Sequence, residues 1–400
     1  MTPTHPSKSC RRNVTTFVVL FCLTASVIWS QQIVIDDRSN QRLSNFPHNS
    51  DITVTDLKLD HNYIHLVDYL DPLPALSTII LDFNDLTTFP DFTNVSSTLL
   101  RLYLSNNKLT YIYQDYLEPL VALQVLSLDH NQLYQIPNVL CPSLRQLDLA
   151  NNNFLCFPDL SRLGRRLTTL DISRNSIITE IPPPKLLALT ELKKLVANGL
   201  NLEWFPDVRP ISRTLEWLEL RDNSIHRMSG NIIVELVKLT VLRIDYNNIQ
   251  SLPNICMKRS SSLVSVSAMN NPIRCDHTAR WMKIAEEDGL VSISLKCNYP
   301  PKLNGISWTD INMNNLTQPT GATRTSNFKG IDVTSFLSVP RFVRKETTVR
   351  NLLQCSVRCL EMPTCVMYNY ISRTNRCRLA YPYDGDFIDF YNEPIWHVIF

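Results

Sequence analysis

Between residues 54 and 273 the apolar positions recur in one phrase, L-x-x-L-x-L-x-x-N-x-L, and each copy predicts a short strand followed by a turn. The phrase runs through Val54, Leu57, Leu59, Asn62 and Ile64, then Leu76, Ile79, Leu81, Asn84 and Leu86, then Leu99, Leu102, Leu104, Asn107 and Leu109. Later copies place the Asn at Asn131, Asn152, Asn175, Asn223, Asn247 and Asn271. Ten copies begin at 54, 76, 99, 123, 144, 167, 192, 215, 239 and 263, so the period stays between 21 and 25 residues. Alternate side chains of a strand point to opposite faces, so the Leu positions of one coil stack on those of the next. The Asn amide, with two donors and an acceptor, suits the point where the chain turns off the strand. Four residues after the last apolar position stand Pro90, Pro137, Pro158, Pro206 and Pro253, with Pro182 one residue late; they mark an extended segment that needs no N–H donor. One copy departs: Leu192, Leu195 and Ala197 are followed by Leu200 where Asn belongs. Either the turn re-routes there or Asn198 or Asn201 substitutes.

The pattern resembles the leucine-rich-repeat family over residues 43–273, with Leu43 to Pro47 as the second half of an incomplete leading repeat. The resemblance implies an α/β fold class: a solenoid with a curved parallel β-sheet. A single coil cannot bury its Leu face, so stability comes from stacking and the ends need covers. Residues 31–53 are expected to form an N-terminal cap segment without cysteines, in which Leu43, Phe46 and Ile52 shield the first rung. After the ten repeats of 54–273, the run Asn271-Pro-Ile-Arg-Cys275-Asp-His277, then Trp281 and Cys297, resembles the C-terminal cap of extracellular members, over residues 274–312. In that family four cysteines pair first with third and second with fourth. Here His277 takes the second place and no Cys lies between Cys297 and Cys355, so the resemblance implies one surviving bridge, Cys275–Cys297.

Residues 313–327 are polar and read as a linker. Beyond them comes Cys355-x3-Cys359-x5-Cys365-x11-Cys377, with the first two cysteines on one face of a helix expected from Thr348 to Glu361. Met367 to Tyr370 and Cys377 to Ala380 look like paired strands. With the closing Trp396, residues 328–400 resemble a PAN/apple domain, a small α+β module. That resemblance implies nested bridges, Cys355–Cys377 and Cys359–Cys365. The alternative is a metal site, for which the spacing is poor and His397 the only nearby His. Between 341 and 378 eight basic residues, among them Arg350, Arg373, Arg376 and Arg378, face two acids, a local charge of +6. Guanidinium groups suit bidentate contact with sulfate or carboxylate. Some PAN/apple relatives bind sulfated glycans, so the resemblance implies a sulfated glycan as one ligand class. A solvated face balanced by Asp384, Asp386, Asp389 and Glu393 is the plainer reading.

Composition and charge add to this picture. Residues 1–30 carry Lys8, Arg11 and Arg12 before a short apolar run, which reads as a signal peptide and places the mature chain in the extracellular space. An uncleaved run would make the chain a membrane-anchored receptor ectodomain instead; no later segment is apolar enough for a stable membrane span. Of eleven cysteines, Cys10 and Cys22 leave with that segment. After the bridges implied above, Cys141, Cys156 and Cys256 remain, as buried thiols or as an intermolecular link. The sequons at Asn94 and Asn315 fit an exported glycoprotein. A net charge of +2 gives no general affinity for nucleic acid. No nucleophile elbow, zinc-binding H-E-x-x-H, phosphate loop or dinucleotide fingerprint occurs, and neither an enzyme nor a cofactor is expected.

The remaining expectation concerns binding. The sheet face of a solenoid is extended and solvent-facing. One column of its positions reads Asp56, Thr78, Arg101, Val125, Gln146, Thr169, Lys194, Trp217, Val241 and Ser265, and a parallel column holds Tyr103, Glu219 and Arg243. Phe83, Asp222 and Tyr246 fall in a third. Aromatic side chains beside Arg have the composition of an interface anchor, so Trp217, Glu219, Arg243 and Tyr246, with Tyr103, are the candidate contacts to an extracellular protein ligand. Scattered exposed aromatics are the alternative.

Overall fold

A computed structural model describes residues 33–48, 50–254, 262–316, 342–348, 367–371, 376–382 and 397–398. The expected signal peptide, Cys256, Cys355, Cys359 and Cys365 lie outside them.

Each of the ten phrases forms a three-residue strand, β2 to β11: Asp56–Lys58, Thr78–Ile80, Arg101–Tyr103, Val125–Ser127, Gln146–Asp148, Thr169–Asp171, Lys194–Val196, Trp217–Glu219, Val241–Arg243 and Ser265–Ser267. The strands pair in parallel with equivalent residues side by side, so the columns read along the sequence are the columns of the sheet. The middle residue of every strand is buried among the other Leu positions of the core. Two strands exceed the repeats: β1 (Ile35–Asp37) before β2, and β12 (Ser292–Ser294) after β11, giving a twelve-stranded curved parallel sheet. The opposite side carries short pieces, including α1 (Gln114–Leu117), α2 (Pro183–Leu186) and α3 (Gly230–Glu235).

The Asn positions form a buried ladder. The Asn131 amide donates to Leu104 O at 2.9 Å in the preceding coil and to Leu128 O at 3.0 Å in its own, and accepts from Leu109 N–H at 2.9 Å. In every copy with the Asn, the residue before it is left-handed: His61, Phe83, Asn106, His130, Asn151, Arg174, Asp222, Tyr246 and Asn270 have φ between 51° and 56°. That conformation is costly for a side chain with Cβ, and the bonds on both sides hold it in place. Asn131→Ala should cost about 1–3 kcal/mol by orphaning the buried Leu109 N–H, read as a lower urea midpoint at unchanged slope.

Where Leu200 replaces Asn, the turn is not re-routed: Gly199 takes the left-handed position at φ 59° and Leu200 is buried. The Asn198 side chain instead accepts from Arg221 N–H at 2.7 Å, and Ile178 N–H, left without an amide oxygen, turns back to Asn175 O at 3.0 Å. The neighbouring coil also explains the late proline. Ile178, not Ile177, points inward, which puts Pro182 four residues after it.

Both ends differ from expectation. At the N-terminus Phe46 is buried and Leu43 packs against the core, but Ile52 is 67 % exposed. Its expected place is taken by Val34, which leads into β1 and is fixed by its N–H to Thr55 Oγ1 at 3.0 Å. At the C-terminus the bridge Cys275–Cys297 is present, with both residues buried. Helix α4 (Arg280–Glu287) covers the last rung, Trp281 packs half-buried against it, and Trp308 is wholly buried. The cap runs past 312, because Leu316 is buried and Asn312 caps a 3-10 turn over Met313–Asn315, residues expected to begin the linker.

In the C-terminal region β14 (Met367–Ile371) and β15 (Arg376–Pro382) pair antiparallel, as their alternation suggests. They join β13 (Phe342–Thr348) and β16 (His397–Val398) in a four-stranded sheet ordered β13-β15-β14-β16. Thr348, the expected start of a helix, ends β13.

Candidate binding face

The register of β8, β9 and β10 brings Lys194, Trp217 and Val241 side by side in one column and Glu219 and Arg243 in the next. The Trp217 ring lies between two cations, with Lys194 Nζ 5.3 Å and Arg243 Cζ 4.9 Å from its centroid. Its Nε1 donates to Glu219 Oε1 at 2.7 Å. Glu219 also accepts from Asn198 Nδ2 at 3.3 Å, and Arg221 lies 3.2 Å from Asp245. The indole thus keeps a half-exposed face while its orientation is fixed by one hydrogen bond and two ring–cation contacts. Each such contact contributes about 0.5–1 kcal/mol at an exposed site. Little rotamer freedom remains for a ligand to remove.

Of the expected contacts, Trp217, Glu219 and Arg243 come together. Tyr246 does not lie on the sheet face: it is the left-handed residue of its turn, 57 % exposed on the rim. Tyr103 sits on β4, five strands before β9, about 24 Å away at the usual strand spacing. Lys194, which completes the Trp217 cluster, occupies the neighbouring position in the column that held Trp217 and was legible there. An exposed tryptophan escaped the column reading because it lies off the strands. Trp204, 60 % exposed, has its ring 4.4 Å from that of His226.

The other expected sites fall as follows. Asn94 is exposed, and its Nδ2 donates to Leu70 O at 2.9 Å; Asn315 caps through its own amide oxygen, which accepts from Asn312 N–H at 2.9 Å. Cys141 is a buried thiol, pushed up to about 12 by burial and by nearby Glu118, whereas Cys156 is exposed. Arg376 and Arg378 lie on β15, opposite Thr348 and Glu346 of β13; Arg350 and Arg373 lie outside the described residues, as do three of the four cysteines of the expected nested bridges. Among the described residues no three His, Cys, Asp or Glu side chains form a metal-ligand group, and no helix is long and apolar enough to cross a membrane.

An in-register Leu stack with an Asn ladder defines a leucine-rich-repeat solenoid, and family models agree: leucine-rich-repeat models match residues 74–133 and 166–189, and a PAN domain model matches 327–387. The chain thus carries leucine-rich repeats followed by a stretch that matches the PAN domain model. It is similar to osteomodulin of Bos taurus, 32% identical over 157 residues, which covers 33% of this chain and 36% of that protein. The chain therefore spans about a third of the length of that relative. Among solved structures it is similar to a chain of an octameric complex of latrophilin 3, Unc5D and the FLRT2 leucine-rich repeats, with TM-score 0.54, 23% identity, and coverage of 69% of this chain and 94% of that one. It is also similar to a leucine-rich-repeat protein of Leptospira interrogans, with TM-score 0.50, 22% identity, and coverage of 65% and 77%. These two likenesses concern the fold.

Proposed function

We propose that this chain is a secreted, non-enzymatic recognition protein that binds an extracellular protein ligand on the outward face of its parallel sheet, with Trp217 as the anchor. The observation that carries the reading is the indole held by Lys194 and Arg243 and bonded to Glu219, half-exposed yet oriented before any ligand arrives. Interface energy concentrates in such aromatic and Arg positions. The similarity to FLRT2 repeats found in a complex with other proteins supports this kind of partner. The apolar N-terminal run and the bridged cap support export.

The test is capture from extracellular fluid with the mature chain, identification of the retained protein, and titration against variants. Trp217→Ala should weaken binding by more than 1 kcal/mol, about fivefold or more, while the fold persists with a loss of about 1–2 kcal/mol of stability from the two ring–cation contacts. Trp204→Ala, which removes a more exposed Trp away from the sheet face, should bind as the parent does. Binding that survives Trp217→Ala and is lost with Trp204→Ala would move the interface off the sheet.

A further inference from the structure

The coils before the Trp217 cluster carry a file of carboxylates, Asp148 and Asp171 on the strands and Asp82 and Asp129 two residues beyond them, that the fold itself sets close together. β6 and β7 pair so that Asp148 stands directly beside Asp171. One coil earlier, Asp129 accepts from Ser105 Oγ and from Ser127 Oγ, and Ser105 N–H donates to Asp82 Oδ1 at 2.6 Å, so Asp82 and Asp129 share one intervening residue. Like charges facing one another across strands are destabilising. No basic residue of β5, β6 or β7 offsets them: those strands read Val-Leu-Ser, Gln-Leu-Asp and Thr-Leu-Asp.

We propose that this file is a proton-operated device, in which uptake of protons by Asp82, Asp148 and Asp171 on mild acidification relieves repulsion across the sheet and tightens the solenoid. The groups facing these carboxylates can be named strand by strand. Asp82 meets Asp60 from the coil before and Asp129 from two coils on. Asp148 meets Asp129 and Asp171, with His130 as the opposing cation when protonated. Asp171 meets Glu219, and Lys194 attracts it. Burial with these like charges pushes Asp82 up to about 6 and Asp148 up to about 7, and Asp171 moves in the same direction. Asp129 goes the other way. Burial raises it too, but bonds from Ser105, His130 and Ser127 hold it below its ordinary value, so it stays charged and repels its neighbours.

The sign follows from linkage. A carboxyl whose folded value is raised binds more protons folded than unfolded. Its stabilisation is complete below the unfolded value near 4 and is lost as pH rises through about 6 to 7. The carboxyls held low, such as Asp36, Asp207 and Asp276, act below that window and leave it unchanged. Lys194 lies both beside Asp171 and over Trp217, so the same titration alters the charge around the aromatic anchor.

The experiment is thermal unfolding of the full mature chain between pH 5.5 and 7.5, with Asp148→Asn and Asp171→Asn alongside. The amide oxygen that Asp148→Asn introduces can still accept from Ala150 N–H, as the Asp148 carboxylate does at 3.0 Å. The parent Tm should rise by about 2–5 °C on acidification. Each variant should melt higher than the parent at pH 7.5 and gain less at pH 5.5. A carboxyl titration followed by carbon NMR should place Asp148 well above the usual range. A parent Tm that is flat or falls toward pH 5.5, variants that melt no higher at pH 7.5, or an Asp148 titration near 4 each overturns the proposal. None of these readouts depends on the ligand, so failure here and failure of the Trp217 reading are distinguishable.

Discussion

Trp308→Ala is expected to lower stability by about 3–5 kcal/mol, the range for deleting a buried aromatic side chain. The indole is wholly buried and held by Glu286 and Lys283. Its Nε1 donates to Glu286 Oε2 at 2.8 Å, Lys283 Nζ lies 4.6 Å from the ring centroid, and the same ammonium donates to Trp308 O at 2.8 Å. Lys283 is itself 8% exposed, so truncation leaves a buried cation beside a cavity. Glu286 would keep its acceptor bond from Ile293 N–H at 3.2 Å, which ties α4 to β12. A Tm drop of about 10 °C is the expected reading. Trp308→Phe, which keeps the ring contact but not the indole donor, should lose less. A drop below 1 kcal/mol for the alanine variant would mean that the cap does not share the cooperative unit of the repeats.

Removing the cap bridge is the second large effect. Cys275 and Cys297 close a loop of sequence separation 22, for which loop-closure entropy gives about 3 kcal/mol. Replacing both with Ala avoids a stray thiol, and peptide mapping of the parent should find neither sulfur free. The bridge and Trp308 restrain one segment, because Trp308 N–H donates to Leu295 O at 3.0 Å, two residues before Cys297. The combined variant should therefore fall short of the sum of the separate losses. Strict additivity would show that bridge and indole hold separate parts of the cap.

The repeats were legible because two periodicities agree: alternation within each strand and recurrence every coil. Together they locate all ten strands and the sheet columns, including Trp217, Glu219 and Arg243. What lies outside the repeat was less legible. Ile35–Asp37 shows little of the apolar phrase, yet it pairs because Val34 and Thr55 fix its register by backbone and hydroxyl bonds. Trp308 lies beyond the N-P-x-x-C-x-C-x-x-x-W start of the cap resemblance, so Trp281 drew notice although Trp308 fills the core. Tyr246 was grouped with Trp217 because the two fall in parallel columns on adjacent coils, and the left-handed turn carries it to the rim. The carboxylate file needed three-dimensional burial, since neither the half-burial of Asp148 nor the bonds from Ser105, Ser127 and His130 to Asp129 can be read from the sequence.

Leu200 has a consequence for how the array comes apart. In a stacked protein each coil is held by its neighbours, and the ladder amide contributes one of the links between adjacent coils. Asn175 reaches back to Leu149 O at 3.0 Å and Asn223 to Ala197 O at 3.0 Å, but nothing equivalent reaches back from residue 200 to Ile172 O. The join between β7 and β8 thus lacks one ladder link, with Asn201 Nδ2 reaching back to Ser176 O at 3.4 Å instead, and local opening is expected to begin at this join sooner than at the others.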